Sequence, residues 1–216
     1  FSRTVARPSF REMSYYVTVD PGSDDLVVGN PLLKLSDVLS GDLRGEYTWG
    51  DFGDLAALSV FYKQIDDPIE SIVIRDPNNR EASGASYRTF FNNPNRAKLV
   101  GVELEGRKNL EFLGLDFLEF FSIGANATYI HARVDRMPAE FVRSREFFAD
   151  VPPASATFPK LESSRRLFAQ PEWIVNADLS FDLEDWGTKA TLSAFAISDL
   201  LDAAGSASQN PAGTIL

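Results

Sequence analysis

Two runs of alternating residues, joined within Asn95 to Val134, set the pattern of this chain. In the first, Val100, Val102, Leu104 and Gly106 share one phase, and Gly101, Glu103, Glu105 and Arg107 share the other. In the second, Phe121, Ile123, Ala125, Ala127 and Tyr129 oppose Ser122, Gly124, Asn126 and Thr128. Successive strand side chains point to opposite faces, so the stretch predicts a hairpin with one apolar and one polar face, turning near Leu113–Asp116. The runs last roughly 14 to 17 residues, against about 5 to 6 for a globular strand. That length suits a tilted membrane-spanning strand, which needs about 9 to 11 residues for the hydrocarbon alone.

The same alternation recurs. Residues 39–49 set Leu39, Gly41, Leu43, Gly45, Tyr47 and Trp49 against Asp42, Arg44, Glu46 and Thr48. Residues 172–184 set Trp173, Val175, Ala177, Leu179, Phe181 and Leu183 against Asn176, Asp178, Ser180 and Asp182. Residues 55–66 read as a return strand with Leu58, Val60 and Tyr62 outward, and 188–198 as a last strand. Residues 1–10 read as the end of a strand, closed by Arg7-Pro8.

The connections also alternate. Short ones fall at Gly50–Asp54 and Asp185–Gly187. Long loops are expected over 11–36, over Asp67–Pro94 and over Asp135–Pro171, all with Pro, Asn and Asp turn chemistry. Loops of about 30 residues are uncommon in compact soluble domains. Their alternation with tight turns is the asymmetry of an outer-membrane barrel, and Tyr47, Trp49, Tyr129, Trp173 and Trp186 near strand ends fit an interfacial girdle. The expected fold is therefore all-β: an antiparallel up-and-down transmembrane β-barrel segment, with residues 1–216 as one incomplete domain. Across the three clearest strands the interior charges (Asp42, Arg44, Glu46, Glu103, Glu105, Arg107, Asp178 and Asp182) keep to the polar phase, so a one-residue slip would expose all of them on the apolar face. A soluble all-β sheet with one wet face would alternate in the same way; strand and loop lengths favour the barrel.

Composition narrows the classes. Hydrophobic residues make up 44% of the chain, yet no run reaches the roughly 18 apolar residues of a spanning helix. A net charge of −10, from 21 basic and 31 acidic residues, argues against a nucleic-acid partner. Cysteine is absent, which removes disulfides and thiolate metal sites. The sole histidine, His131, has only scattered carboxylates to share a metal with. Asp24-Asp25 and Asp66-Asp67 lack calcium-loop spacing. No phosphate loop, nucleophile elbow or zinc-protease motif occurs. No catalytic residue, metal or cofactor is expected, and the chain is not read as an enzyme.

Two groups of side chains are candidates for binding. By phase, Arg44, Glu46, Glu103, Glu105, Arg107, Asn126, Asn176 and Asp178 would line the lumen of a barrel. In the last long loop, Arg143, Arg145, Phe147, Phe148, Arg165 and Arg166 combine guanidinium and aromatic groups suited to an anionic or flat ligand, or to lipopolysaccharide.

The residues now resemble a known family in order along the chain. FSRTVARPSF at the start, GNPLLK at 29–34, FYKQIDDPIE at 61–70, VGVELEGRKNL at 100–110, ANATYIHARV and WIVNADLSFDLEDWGTKATL are similar to successive segments of TonB-dependent outer-membrane receptors, in the carboxy-terminal part of their barrel. The chain departs from that pattern at Leu35-Ser36, where the family carries Pro-Glu, and in SAFAISDLLDAAG, which lacks the family's Asn and Gly-x-Arg. Family barrels of this kind hold about 22 strands around a plug. The resemblance implies a fragment of about five full strands and one partial one, lacking plug, energy-coupling box and terminal strand, and probed alone it would not transport. It further implies energy-coupled uptake of a scarce nutrient (an iron-siderophore, cobalamin or an oligosaccharide) in the outer membrane of a Gram-negative cell. The implied partners are TonB and its inner-membrane complex through the plug, the small nutrient ligand, and outer-membrane lipid with lipopolysaccharide. The alternatives are a soluble lectin-like binding module, a passive porin, or an outer-membrane enzyme.

Overall fold

The computed structural model describes residues 1–20, 26–50, 52–75, 86–137 and 163–202. Strand β1 covers Ser2–Ala6. A one-turn helix, Phe10–Met13, follows, because Ser9 and Glu12 cap each other reciprocally. Then come β2 (Val17–Val19), β3 (Leu26–Val28), β4 (Ser36–Trp49), β5 (Asp54–Asp66), β6 (Ile69–Arg75) and β7 (Ser86–Asn92). The remaining strands are β8 (Ala97–Asn109), β9 (Phe121–Asp135), β10 (Ser164–Arg165), β11 (Trp173–Leu183) and β12 (Thr188–Ile197).

Seven of these form one antiparallel sheet in the order β1-β4-β5-β8-β9-β11-β12, with β10 beside β9. The sheet is open, with β1 and β12 at its edges. The all-β antiparallel architecture and the long strands agree with the alternation. The tight turn of the organising hairpin is more structured than a bare loop: 3-10 turns at Leu110–Leu113 and Asp116–Phe120 flank Gly114, whose φ of 73° suits a residue without Cβ.

Two of the long loops are corrected. Residues 11–36 contain the capped helical turn, β2 and β3, and Asp67–Pro94 contains the β6–β7 hairpin. Together β2, β3, β7 and β6 form a second sheet of four strands at the end opposite the short turns, with β3 and β7 parallel. Their strands are short and bounded by turn residues, so the turn signal outweighed the β-branched one. In the third long loop, the described residues hold only β10.

Register assigns the faces. On the apolar face, Leu43, Val60, Val102, Tyr129 and Trp173 lie in one rung, and Leu58 faces Gly45 and Leu104. The outward placement of Leu58, Val60 and Tyr62 is borne out. Side chains here are bare: Leu43 is 71% exposed, Leu104 58% and Leu192 73%. Single exposed apolar residues are ordinary, but rows of them over six strands mark a surface meant for an apolar surrounding. The aromatics divide between its ends. Tyr47 stacks on Trp49 at 5.6 Å beside the short turns, with Trp186 exposed nearby in sequence to the last of them, whereas Trp173 opens β11 at the other end.

The other face is polar only in the half nearer the short turns. Toward the loop end, Phe61, Ile65, Ala97, Leu99, Ile130, Ala132 and Val134 form the main apolar cluster, covered by Leu167. Phe61 lies directly opposite Gly101, where an added Cβ would run into its ring. Gly101→Ala is therefore expected to destabilise by about 1–3 kcal/mol through overpacking. Denaturant unfolding of the variant alone and with Phe61→Leu checks this, since trimming the ring should recover part of the loss.

Candidate functional site

The polar half of the sheet builds a plate from three adjacent rungs. One rung reads Glu46, Ala57, Glu105, Asn126 and Asn176 across β4, β5, β8, β9 and β11. The rung on its loop side carries Arg44, Ser59, Glu103 and Thr128; the rung on its turn side carries Thr48, Leu55, Arg107, Gly124 and Asp178. All eight residues assigned to the polar phase thus share one face, in a plate about 19 Å wide and about 14 Å tall from ordinary strand spacings.

Its groups are partly committed to one another. Arg44 donates to Glu46 at 3.0 Å, to Glu105 at 2.7 Å and to Ser59 Oγ at 3.3 Å. Its guanidinium reaches from β4 to β8 because β5 offers only Ala57 and Ser59 between them. Asn176 donates to the facing Asn126 at 2.7 Å. The Asp178 carboxylate lies over Gly124, where a Cβ would collide with it, and accepts from Ser180 at 3.3 Å. Among the described residues Arg107 reaches Ser122 Oγ, at 3.5 Å. It helps to line a cavity of about 500 Å³ at the turn end with Asn109, Glu119, Ser122, Asp182 and Phe52. Such a surface holds mixed charge and amides without a reactive pair, which suits reversible contact with a polar partner.

The loop candidates fare differently. Arg143, Arg145, Phe147 and Phe148 lie outside the described residues. Arg165 does not point to solvent: it is 7% exposed and gives Glu70 two bonds, of 2.7 and 2.9 Å. Glu70 is fully buried, and Asn93 donates to it at 2.7 Å while also holding the carbonyl of Asp135 at 3.0 Å. A charge buried this deeply must be paired and hydrogen-bonded, so Arg165 anchors the outer sheet to the barrel-type sheet instead of offering a free cation. Arg166, half as exposed as Asp199, donates to it at 2.7 Å, and this bond holds the Asp199 carboxyl below the usual carboxylate range. Arg88 on β7 is likewise buried against Asp202 through a two-pronged contact.

Sequence reasoning missed Glu70, Asn93, Arg88 and Asp202. The available signal was Glu70 inside IESIVIR, a lone acid in an apolar β-branched run. His131 is exposed on β9, and among the described residues no three His, Asp or Glu gather as a metal site.

Comparison with known proteins adds three findings. The sequence matches the model of the TonB dependent receptor-like β-barrel over residues 1–214. No curated protein matches it. Among solved structures it is similar to the crystal structure of the siderophore receptor PirA from Pseudomonas aeruginosa, at 15% identity and a TM-score of 0.49, covering 90% of this chain and 29% of that one. The chain therefore spans less than a third of that receptor's length.

Proposed function

We propose that this chain, which belongs to the TonB-dependent receptor-like β-barrel family over residues 1–214, builds part of the wall of an outer-membrane transporter for a scarce nutrient. The observation that carries the reading is the division of the seven-stranded sheet into a bare apolar face and a charged plate behind it. Strands in lipid alternate apolar outward and polar inward, and their charges belong on the lumen side. The sheet cannot stand in hydrocarbon with its edges open, so β1 and β12 pair with further strands in the membrane. In this arrangement Arg44, Glu46, Glu103, Glu105, Arg107, Asn126, Asn176 and Asp178 line the lumen, and the four-stranded sheet lies on the extracellular side. Uptake is energised by TonB and its inner-membrane complex through a plug, and the nutrient is an iron-siderophore, cobalamin or an oligosaccharide. The extracellular connection containing Arg143, Arg145, Phe147 and Phe148 contacts that ligand. No bond is made or broken; the wall's task is to hold a plug and let a ligand pass.

The test is uptake of labelled ferric siderophores, cobalamin and oligosaccharides by Gram-negative cells with and without the gene, each with and without a protonophore. One class should accumulate only with the gene and an energised inner membrane. Uptake that survives the protonophore would identify a passive pore. Recovery of the protein in the soluble fraction, with no uptake, would identify a soluble binding module.

A further inference from the structure

The short connections meet at the cavity on the polar face beside Arg107. Phe52 comes from the turn between β4 and β5, Glu119 and Phe120 from the connection of β8 to β9, and Asp185 from the turn after β11. The cavity holds about 500 Å³, within the roughly 300–1,000 Å³ of small-ligand sites. Two of its walls are aromatic. Phe120 stands edge-on to Phe181, with ring centres 6.4 Å apart, and Phe52 presents a second, half-exposed ring.

The polar groups around it are unequally committed. Asp182 is answered by Lys189 at 2.8 Å, and Asn109 gives its amide to the carbonyl of Glu119 at 2.7 Å. The Arg107 guanidinium has, among the described residues, its one long bond to Ser122 Oγ. No ion pair or hydrogen bond among those residues engages the side-chain carboxylates of Glu119 or Asp185. The register sets these charges apart. Arg107 lies one same-face step, about 7 Å, on the strand side of Asn109. Both acids lie on its turn side, in the 3-10 turns Asp116–Phe120 and Glu184–Trp186. A ligand that meets both ends must carry an anion and a cation about 7 Å apart or more. A single amino acid spans at most about 3.6 Å, and an extended dipeptide about 7 Å.

We propose that this cavity binds short peptides with free termini, the carboxylate on Arg107 and the ammonium toward Glu119 and Asp185. A guanidinium takes a carboxylate in a two-pronged bond, and two carboxylates against one cation leave the turn side ready for an ammonium. An apolar peptide side chain packs against the rings of Phe52 and Phe120. The site stands on the geometry of the sheet alone. Its place at the periplasmic mouth of the lumen rests on the outer-membrane reading above, in which short turns face the periplasm. There it gives the wall a peptide ligand besides the nutrient carried through it.

The test is calorimetric titration of the gene's complete product in detergent with alanyl-phenylalanine, its N-acetyl derivative and its carboxamide. Wild type is compared with Arg107→Gln and with Glu119→Gln/Asp185→Asn, after circular dichroism has shown each to be folded. Wild type should bind the free dipeptide and lose about tenfold or more in affinity on either capping, since each cap removes a charge-assisted contact. Arg107→Gln should bind weakly and be indifferent to amidation, and the acid variant should be indifferent to acetylation. The wild-type comparison stands even where a variant fails to fold. Equal binding of free and capped peptides by wild type would overturn the proposal and make an internal polypeptide segment the occupant. Absence of binding by folded wild type would overturn the site. The uptake assay above separates the two readings: peptide binding without uptake keeps the site and removes the transporter, and uptake without peptide binding does the reverse.

Discussion

Arg165→Ala should cost about 3–5 kcal/mol of stability, the penalty for leaving a buried charge without its partner. Glu70 is fully buried, and its two oxygens take both guanidinium prongs of Arg165 as well as the amide of Asn93. Without Arg165 the buried carboxylate loses its counter-charge and must draw in water, which loosens the junction of β6 with β9 and β10. Glu70→Ala should cost a similar amount, since it strands the guanidinium. The paired change Glu70→Leu/Arg165→Met should recover most of the loss, because an apolar pair of similar volume often serves as well as a buried ion pair. Urea unfolding of the four proteins in detergent reads this directly. A single-variant cost below about 1 kcal/mol would mean that the pair behaves as a solvated surface bridge.

The second large effect separates the two faces of the sheet. Leu104→Arg puts a guanidinium in the middle of the bare apolar face, where Leu104 lies between Leu58 and Ala127. In a bilayer that substitution should cost about 2–4 kcal/mol. Thr128→Arg, on the polar face and directly opposite Glu103, should change stability by less than about 1 kcal/mol. Refolding titrations into phospholipid vesicles measure both. Equal, small costs would sink the lipid assignment of the Leu104 face, whatever the family.

The long strands were legible because the charges in their middle stretches keep one phase: Glu103, Glu105 and Arg107 on β8, and Asp178 and Asp182 on β11, each mark the polar side with no help from tertiary structure. β5 was harder to read. Its polar side carries Ala57, Ser59, Phe61, Lys63 and Ile65, a mixture with no period of its own. The structure supplies the reason: small residues let Arg44 cross to Glu105, and Phe61 covers Gly101. The outer sheet was illegible for a different cause. Strands of three residues, such as β2 and β3, hold too few alternations to stand out from turn residues, and the pairing of β3 with β7 is a long-range fact. Arg165 shows the limit of reasoning from residue type. A loop arginine usually meets solvent, and only the burial of Glu70 reveals that this one does not.

The parallel pairing of β3 with β7 and the bond from Arg165 to Glu70 bear on the order of assembly. The hairpins β4–β5, β8–β9 and β11–β12 close over short turns and can form soon after their residues meet. The outer sheet needs segments from separate connections, and its anchor joins residues 95 positions apart. Contacts this remote in sequence are slow, because chain closure must precede any gain from pairing. The outer sheet therefore sets last, after the wall beneath it has its register. Pulse-labelling hydrogen exchange during refolding should find the amides that join β3 to β7 protected later than those of β8 and β9, so that a settled cap reports a correctly built wall.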